Sequence, residues 1–335
     1  MKTSEIRLRS RPDGMPKVED FEKVEVELPA LQDGEVSVVN MLMAVEPPLR
    51  IMTGGETGMI KQIMVGEAIR GPAIGKVMES RAPNLAPGDL VLNRTKGWRG
   101  AYVCDRAELT RVEQRAPELS HYLGGLGFSG FSAYVGLEWV LDPQAGETVF
   151  VSSAAGAAGS IVCQLAKRRG CRVLGGVSTD EKRDWLLNEL GLDGAVNYAA
   201  TDLLGFLREQ APGGLDAGYD TVGGKVLEAI ITAVKQRGAV VHMGSTSQYN
   251  ENRYRAPPAN YFELLEKGVT LHALNASLSM DRAKEAFDDL KDLYARGELK
   301  LPQVFFDGLD SAPQAFIALM SGSATGKIIV RLAEA

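Results

Sequence analysis

A short apolar strand, Thr148-Val149-Phe150-Val151, runs directly into Ser152-Ser153-Ala154-Ala155-Gly156-Ala157-Ala158-Gly159-Ser160 and then into a helical stretch, Ser160 to Arg169. Within that stretch Ile161, Val162, Leu165 and Ala166 fall at helical spacing. This junction constrains the fold more than any other segment. It fits a dinucleotide fingerprint in which Ala154 takes the first glycine place. Gly156 lets the backbone approach a pyrophosphate whose charge rests on the N-terminus of the next helix, and Gly159 permits close packing of that helix on the strand. A glycine pattern alone is weak, and its context is what confirms it. Here the unit repeats: Arg172 to Val177 as strand, Asp180 to Leu190 as helix, Ala195 to Asn197 as strand, Leu203 to Gln210 as helix. It continues through Ala217 to Asp220, Val226 to Gln236 and Ala239 to Met243. Strands alternating with helical stretches of about 8 to 12 residues imply a parallel, doubly wound sheet.

The chain before this unit has another texture. Pro29, Gly34, Pro47-Pro48, Gly54-Gly55, Gly71-Pro72, Pro83-Asn84 and Pro87-Gly88-Asp89 break it into short apolar stretches such as Glu35 to Val39 and Asp89 to Leu92. These read as strands of an antiparallel, all-β unit, and the turn density argues against helices there. After a helix around Asp281 to Arg296, the segments Leu301 to Phe306 and Gly326 to Leu332 look like strands able to rejoin the first domain. The expected class is α/β, with residues 1–124 and 300–335 in one domain and 125–299 in the other.

Composition removes several classes. Among 335 residues, 37 Lys and Arg stand against 43 Asp and Glu for a net charge of -6, which leaves no basic footprint for nucleic acid. No apolar run approaches the 18 or so residues of a membrane span, and the first residues, Met1-Lys2-Thr3-Ser4-Glu5-Ile6-Arg7, carry charge where a signal peptide has its apolar core. A cytoplasmic protein is expected. The three cysteines, Cys104, Cys163 and Cys171, form no CxxC, and His121, His242 and His272 lie far apart, so the reading is buried thiols, incidental imidazoles and no metal site.

The end of the second strand separates the nicotinamide cofactors. An NAD site usually places Asp or Glu there, about 20 residues past the glycines, on the ribose 2'-hydroxyl. This chain has Ser178-Thr179 followed by Asp180-Glu181-Lys182. Lys182 can meet a 2'-phosphate, and the Ser178 and Thr179 hydroxyls can donate to its oxygens. The competing reading makes Lys182 a solvated helix residue.

Val151 to Tyr198, with Gly170-Cys171-Arg172-Val173, Asp180-Glu181-Lys182 and Asn197-Tyr198, resembles the zinc-independent medium-chain dehydrogenase/reductases. The resemblance is to the branch of prostaglandin reductases (leukotriene B4 12-hydroxydehydrogenase type) and plant alkenal double-bond reductases. It covers almost the whole chain through Val65-Gly66-Glu67-Ala68-Ile69-Arg70-Gly71, Gly97-Trp98, Leu123 to Gly127, Tyr219 to Gly224, Gly244 to Asn250 and the closing Gly326-Lys327. It implies a GroES-like β domain made by both chain ends, with a Rossmann domain inserted between them. It also implies NADPH as hydride donor to the carbon-carbon double bond of an α,β-unsaturated ketone or aldehyde, no metal, and a homodimer. The zinc-dependent relatives carry Gly-His-Glu where this chain reads Val65-Gly66-Glu67.

Carried over by position, Lys182 and Tyr198 contact the 2'-phosphate, and Ala154, Gly156, Ala157, Ala158 and Gly159 the pyrophosphate. Tyr249 takes the phosphate or ribose side, while Thr221, Met243 and Gly244 line the adenosine and ribose. Phe128 and Ser132 fall near the nicotinamide. For Tyr198 a core role competes, because an aromatic beside a strand usually packs inward. The chain departs from the branch at Pro48, where a tyrosine lines the substrate cleft, at Ala273-Leu274 in place of Gly-Phe, and at Ala324 in place of asparagine. Leu274 therefore stands at the nicotinamide end. An enolate formed by hydride arrival needs hydrogen-bond donors, and Tyr254, ahead of Tyr261, is the expected one. Two alternatives accompany this reading: an NADPH-dependent quinone reductase, and an NADPH-binding regulatory protein with little catalysis.

Overall fold

The turn-punctuated N-terminal strands pair antiparallel. In the computed structural model, which describes residues 1–55, 61–112, 118–251 and 256–332, β1 (Lys2–Leu8) and β2 (Phe21–Glu27) form a hairpin-like pair from Lys2↔Glu27 to Leu8↔Phe21. β3 (Glu35–Ala44) is the hub of a larger sheet, flanked by β4 (Ala73–Ser80) and β6 (Ala101–Asp105), with β5 (Leu90–Asn93) and β7 (Leu109–Arg111) beyond β4. The expectation of an all-β segment needs one correction: Pro48–Gly54 is a helix, α1. Its punctuation reads as turns in sequence, yet Pro48 sits in the first turn, where a missing N–H costs nothing, and Gly55 ends the helix at φ +101.

The second unit opens with α2 (Phe128–Tyr134), which continues as a π-helical stretch over Val135–Leu141. Then strand and helix alternate. β8 (Thr148–Val151), α3 (Gly159–Arg168), β9 (Arg172–Val177) and α4 (Asp180–Asn188) come first, followed by β10 (Gly194–Asn197) and α5 (Leu203–Gln210). β11 (Leu215–Asp220), α6 (Gly224–Ala233), β12 (Val234–His242), α7 (Phe262–Lys267), β13 (Thr270–Ala273) and α8 (Ala283–Ala295) complete it. The six strands are parallel in the order β10-β9-β8-β11-β12-β13. Phe150, Leu174, Leu207, Leu215, Ile230 and Val240 form part of its buried core. Chain order reverses between β8 and β11, and in such sheets the ligand crevice lies beyond the C-terminal strand ends at that point. One boundary differs from expectation. Val226 to Gln236 read as one helix, but α6 stops at Ala233 and Val234 already pairs with Leu215 in the sheet.

The tail returns to the first sheet through β14 (Gln303–Asp307), α9 (Ala312–Met320) and β15 (Lys327–Arg331), whose Ile329 pairs with Ala44. By contacts, residues 1–123, 303–324 and 328–335 make one compact unit, and 124–302 with 325–327 the other.

Candidate functional site

The turn after β8 is held from two sides. Ser152 N–H donates to the Tyr219 carbonyl (2.9 Å) and Ala154 N–H to the Gly176 carbonyl (3.0 Å), so the loop is fixed over β9 and β11 at the switch point. Ser153 adopts φ +48, a conformation rare outside glycine that concentrates at functional turns. Gly159 is obligatory: a Cβ there would lie 2.3 Å from the Ser153 carbonyl oxygen. Ala158 precedes α3 with no side-chain cap, and the first-turn N–H groups of Ser160, Ile161 and Val162 bond the carbonyls of Gly156 and Ala158 (3.0 Å each). Ser160 Oγ, in the same turn, is buried without a hydrogen-bond partner among the described residues. The positive end of a helix dipole, a buried hydroxyl and a turn with no bulk fit a pyrophosphate.

At the end of β9, Thr179 Oγ1 accepts the Lys182 N–H (3.4 Å) and caps α4. Lys182 is 8% exposed, not a solvated helix residue, and burial pushes its ammonium below the ordinary lysine value. Asp180, two residues before it, is engaged by Arg183 (2.7 Å) and Asn197 (3.2 Å). The Tyr198 ring packs against the core containing Phe150 and Leu174, and burial raises its phenol to about 12, so it stays a neutral donor. The core reading of the ring is met.

The expected residues at the ends of β11 and β12 come together. Thr221 N–H donates to Ser152 Oγ (3.0 Å), Met243 N–H to the Asp220 carbonyl (2.8 Å), and Ser245 N–H reaches the Tyr249 hydroxyl (3.4 Å) beside Gly244. Leu274 N–H donates to the His242 carbonyl (2.9 Å), which brings it to the same sheet edge. On α2, Phe128 is 37% exposed, whereas Ser132 is 3% exposed and its hydroxyl donates to the Phe128 carbonyl at 2.8 Å. A helix interior satisfies a short hydroxyl on its own backbone, so the Ser132 proton is already committed. Tyr261, ahead of α7, is 65% exposed, a poor setting for a hydroxyl that must act in low dielectric. Tyr254 lies outside the described residues.

Two features escape the sequence reading. Gly326 N–H donates to the Ala155 carbonyl at 2.7 Å, which adds the closing Gly-Lys segment to the fingerprint turn. His242 is not incidental: its Nδ1 lies 2.9 Å from the Asp220 carboxylate and its Nε2 3.1 Å from Ser245 Oγ. Asp220, His242 and Ser152 each sit at or just past the C-terminal end of a parallel strand, a positional signal the sequence did contain. The three cysteines are buried and free, and burial raises the Cys104 thiol to about 12.

Residues 4–112 match the family described as N-terminal domain of oxidoreductase, and 157–292 the family described as zinc-binding dehydrogenase. That second description names zinc, yet no group of three His, Cys, Asp or Glu able to hold a metal comes together among the described residues. Prostaglandin reductase 1 of Bos taurus is 34% identical over 327 residues, 95% of each chain. The NADP(+)-dependent 2-alkenal reductase of Nicotiana tabacum is 33% identical over 349 aligned positions, covering 98% of this chain and 97% of its own. The crystal structure of CurA from Vibrio vulnificus, solved with NADPH, superposes with a TM-score of 0.93 at 28% identity over 99% of this chain and 100% of its own. The first unit is thus a GroES-like β domain, the second a Rossmann doubly wound sheet, and the chain belongs to the zinc-independent medium-chain dehydrogenase/reductases.

Proposed function

We propose that this protein is an NADPH-dependent reductase of the carbon-carbon double bond in α,β-unsaturated ketones or aldehydes, acting without a metal. It is an oxidoreductase whose cofactor is NADP(H). The observation that carries the cofactor reading is Lys182, buried in the first turn of α4, while the end of β9, where an NAD site keeps a carboxylate, is followed by Ser178-Thr179 and Asp180 is tied to Arg183 and Asn197. The double-bond reading is supported by the two full-length relatives, a prostaglandin reductase and a 2-alkenal reductase. Bound NADPH supplies the hydride. The chain's part is to hold the pyrophosphate at the N-terminus of α3, to place Lys182 and the neutral Tyr198 hydroxyl at the 2'-phosphate, and to supply Tyr254 toward the developing enolate. A homodimer fits β13, the edge strand of the sheet among the described residues, and the exposed Tyr261, Phe262, Leu265 and Leu278 nearby in sequence. The testing experiment is a substrate panel read by NADPH absorbance: turnover of alkenals and enones is expected, whereas oxidation with simple quinones alone points to a quinone reductase, and stoichiometric binding without any turnover to a regulatory protein.

Replacing Lys182 with Ala is expected to weaken NADPH by roughly tenfold to a hundredfold, the worth of about 1.5 to 3 kcal/mol for charge-assisted bonds to a phosphate of about -1.5 to -2 charge. NADH affinity should hold. Fluorescence titration with both cofactors checks this, and equal losses would remove Lys182 from the phosphate site. Activity is expected to survive exhaustive chelation. Stoichiometric zinc in the purified protein, with activity lost on removal and restored on return, contradicts the metal-free assignment.

A further inference from the structure

Ser245, His242 and Asp220 form a chain of hydrogen bonds that hydride transfer does not require. Asp220 closes β11 and is fully buried. Its carboxylate accepts the Ser152 hydroxyl (2.7 Å), the Val222 N–H (3.1 Å) and the Gly223 N–H (2.9 Å), and it lies 2.9 Å from His242 Nδ1. A group that meets donors on every side is acceptor-only, which places the imidazole proton on Nδ1. In that tautomer Nε2 is a bare lone pair, and the Ser245 hydroxyl, 3.1 Å away, donates to it. The serine oxygen is then polarised by a base that is itself oriented by a buried carboxylate, the nucleophile, base and orienter arrangement recognised by geometry, not by fold.

Access and support accompany the geometry. Ser245 is only partly buried, and the His242 side chain is 24% exposed. Gly223, at φ +72, leaves the space the hydroxyl needs, since a Cβ there would lie 2.9 Å from Ser245 Oγ. The Tyr249 hydroxyl accepts the Ser245 backbone N–H at 3.4 Å, which holds the serine backbone in place.

We propose that this triad gives the protein a second, hydride-independent activity: transfer of an acyl group from small activated esters to Ser245 and from there to water. In the first step Ser245 Oγ bonds to the acyl carbon, its proton passes to His242 Nε2, the bond from carbon to the leaving oxygen breaks, and His242 returns the proton to that oxygen. In the second step water attacks the acyl-serine, gives a proton to His242, and the serine leaves with it as its hydroxyl. No oxidant or reductant enters.

The test uses the full-length protein with p-nitrophenyl acetate, followed by p-nitrophenolate release, and with a fluorophosphonate probe mapped by mass spectrometry. One equivalent of phosphonyl group on Ser245 is expected. Ser245→Ala should abolish both the adduct and the hydrolysis, and His242→Gln should slow both by about 100-fold or more at an unchanged thermal midpoint. Absence of an adduct on Ser245 in the native protein, hydrolysis by Ser245→Ala at the native rate, or labelling of folded His242→Gln at the native rate overturns the proposal. Because Ser245→Ala removes only a hydroxyl from a partly exposed position, it decides the matter even if His242→Gln fails to fold.

Discussion

Asp220→Ala is expected to cost the Rossmann unit roughly 3 to 5 kcal/mol of unfolding free energy, the range seen when one partner of a buried charged network is removed and the others stay. Four groups lose their acceptor at once: the Ser152 hydroxyl, the Val222 and Gly223 N–H groups and His242. Two of these fix the turn that leads into α6, and Ser152 also receives the Thr221 N–H, so the loss spreads across the ends of β8, β11 and β12. At about 2 to 4 °C per kcal/mol for a unit of this size, the thermal midpoint should fall by roughly 6 to 20 °C. Asp220→Asn keeps one carbonyl oxygen but turns an NH2 group toward donors, and should cost about half as much. Denaturant melts of the two variants check the ranking. A loss below about 1 kcal/mol in Asp220→Ala would mean that water takes over the orphaned donors and that the network is not what ties these strand ends together.

The same network shows where the sequence stopped being legible. The fingerprint turn could be read because its parts are contiguous: strand, Ser152 to Ser160 and helix follow one another, and β8 begins and ends where the apolar run does. Asp220 and Ser152 are 68 residues apart, and His242 and Asp220 are 22 apart. No local pattern joins them, and only the strand order that sets β8, β11 and β12 side by side does so. The end of α6 was lost for a different reason. Ile230, Ile231 and Val234 satisfy helical spacing, while the exposed Lys235, Gln236 and Arg237 look like a helix end until Arg237, at φ +62, and Gly238 reveal an irregular strand. At α1 the ambiguity lies in the residues themselves, since proline and glycine mark turns and helix ends alike. For Ser132 the resemblance supplies the position, and only the structure shows that its hydroxyl bonds the Phe128 carbonyl.

Tyr254→Phe is expected to lower kcat by about 10²- to 10³-fold if its hydroxyl donates to the enolate as other oxyanion donors do. The resemblance read from the sequence puts a tyrosine where this chain has Pro48, and here Pro48 begins α1, a backbone role with no hydroxyl to give. The remaining tyrosines of the segment after β12 are Tyr249, beside Ser245, Tyr261, largely exposed, and Tyr254. A donor aimed at charge that exists only after hydride arrival acts on the transition state more than on the bound substrate, so KM should move little and NADPH affinity hardly at all. Stopped-flow and steady-state measurement with one enone, alongside NADPH titration, separate these quantities. A change in kcat under about 3-fold, less than 1 kcal/mol of barrier, would mean that the cofactor's ribose hydroxyl and water stabilise the enolate without Tyr254. The cofactor site would stand in that outcome, because it rests on separate observations: the close approach at Gly159, the buried Lys182 and the turn held over β9 and β11.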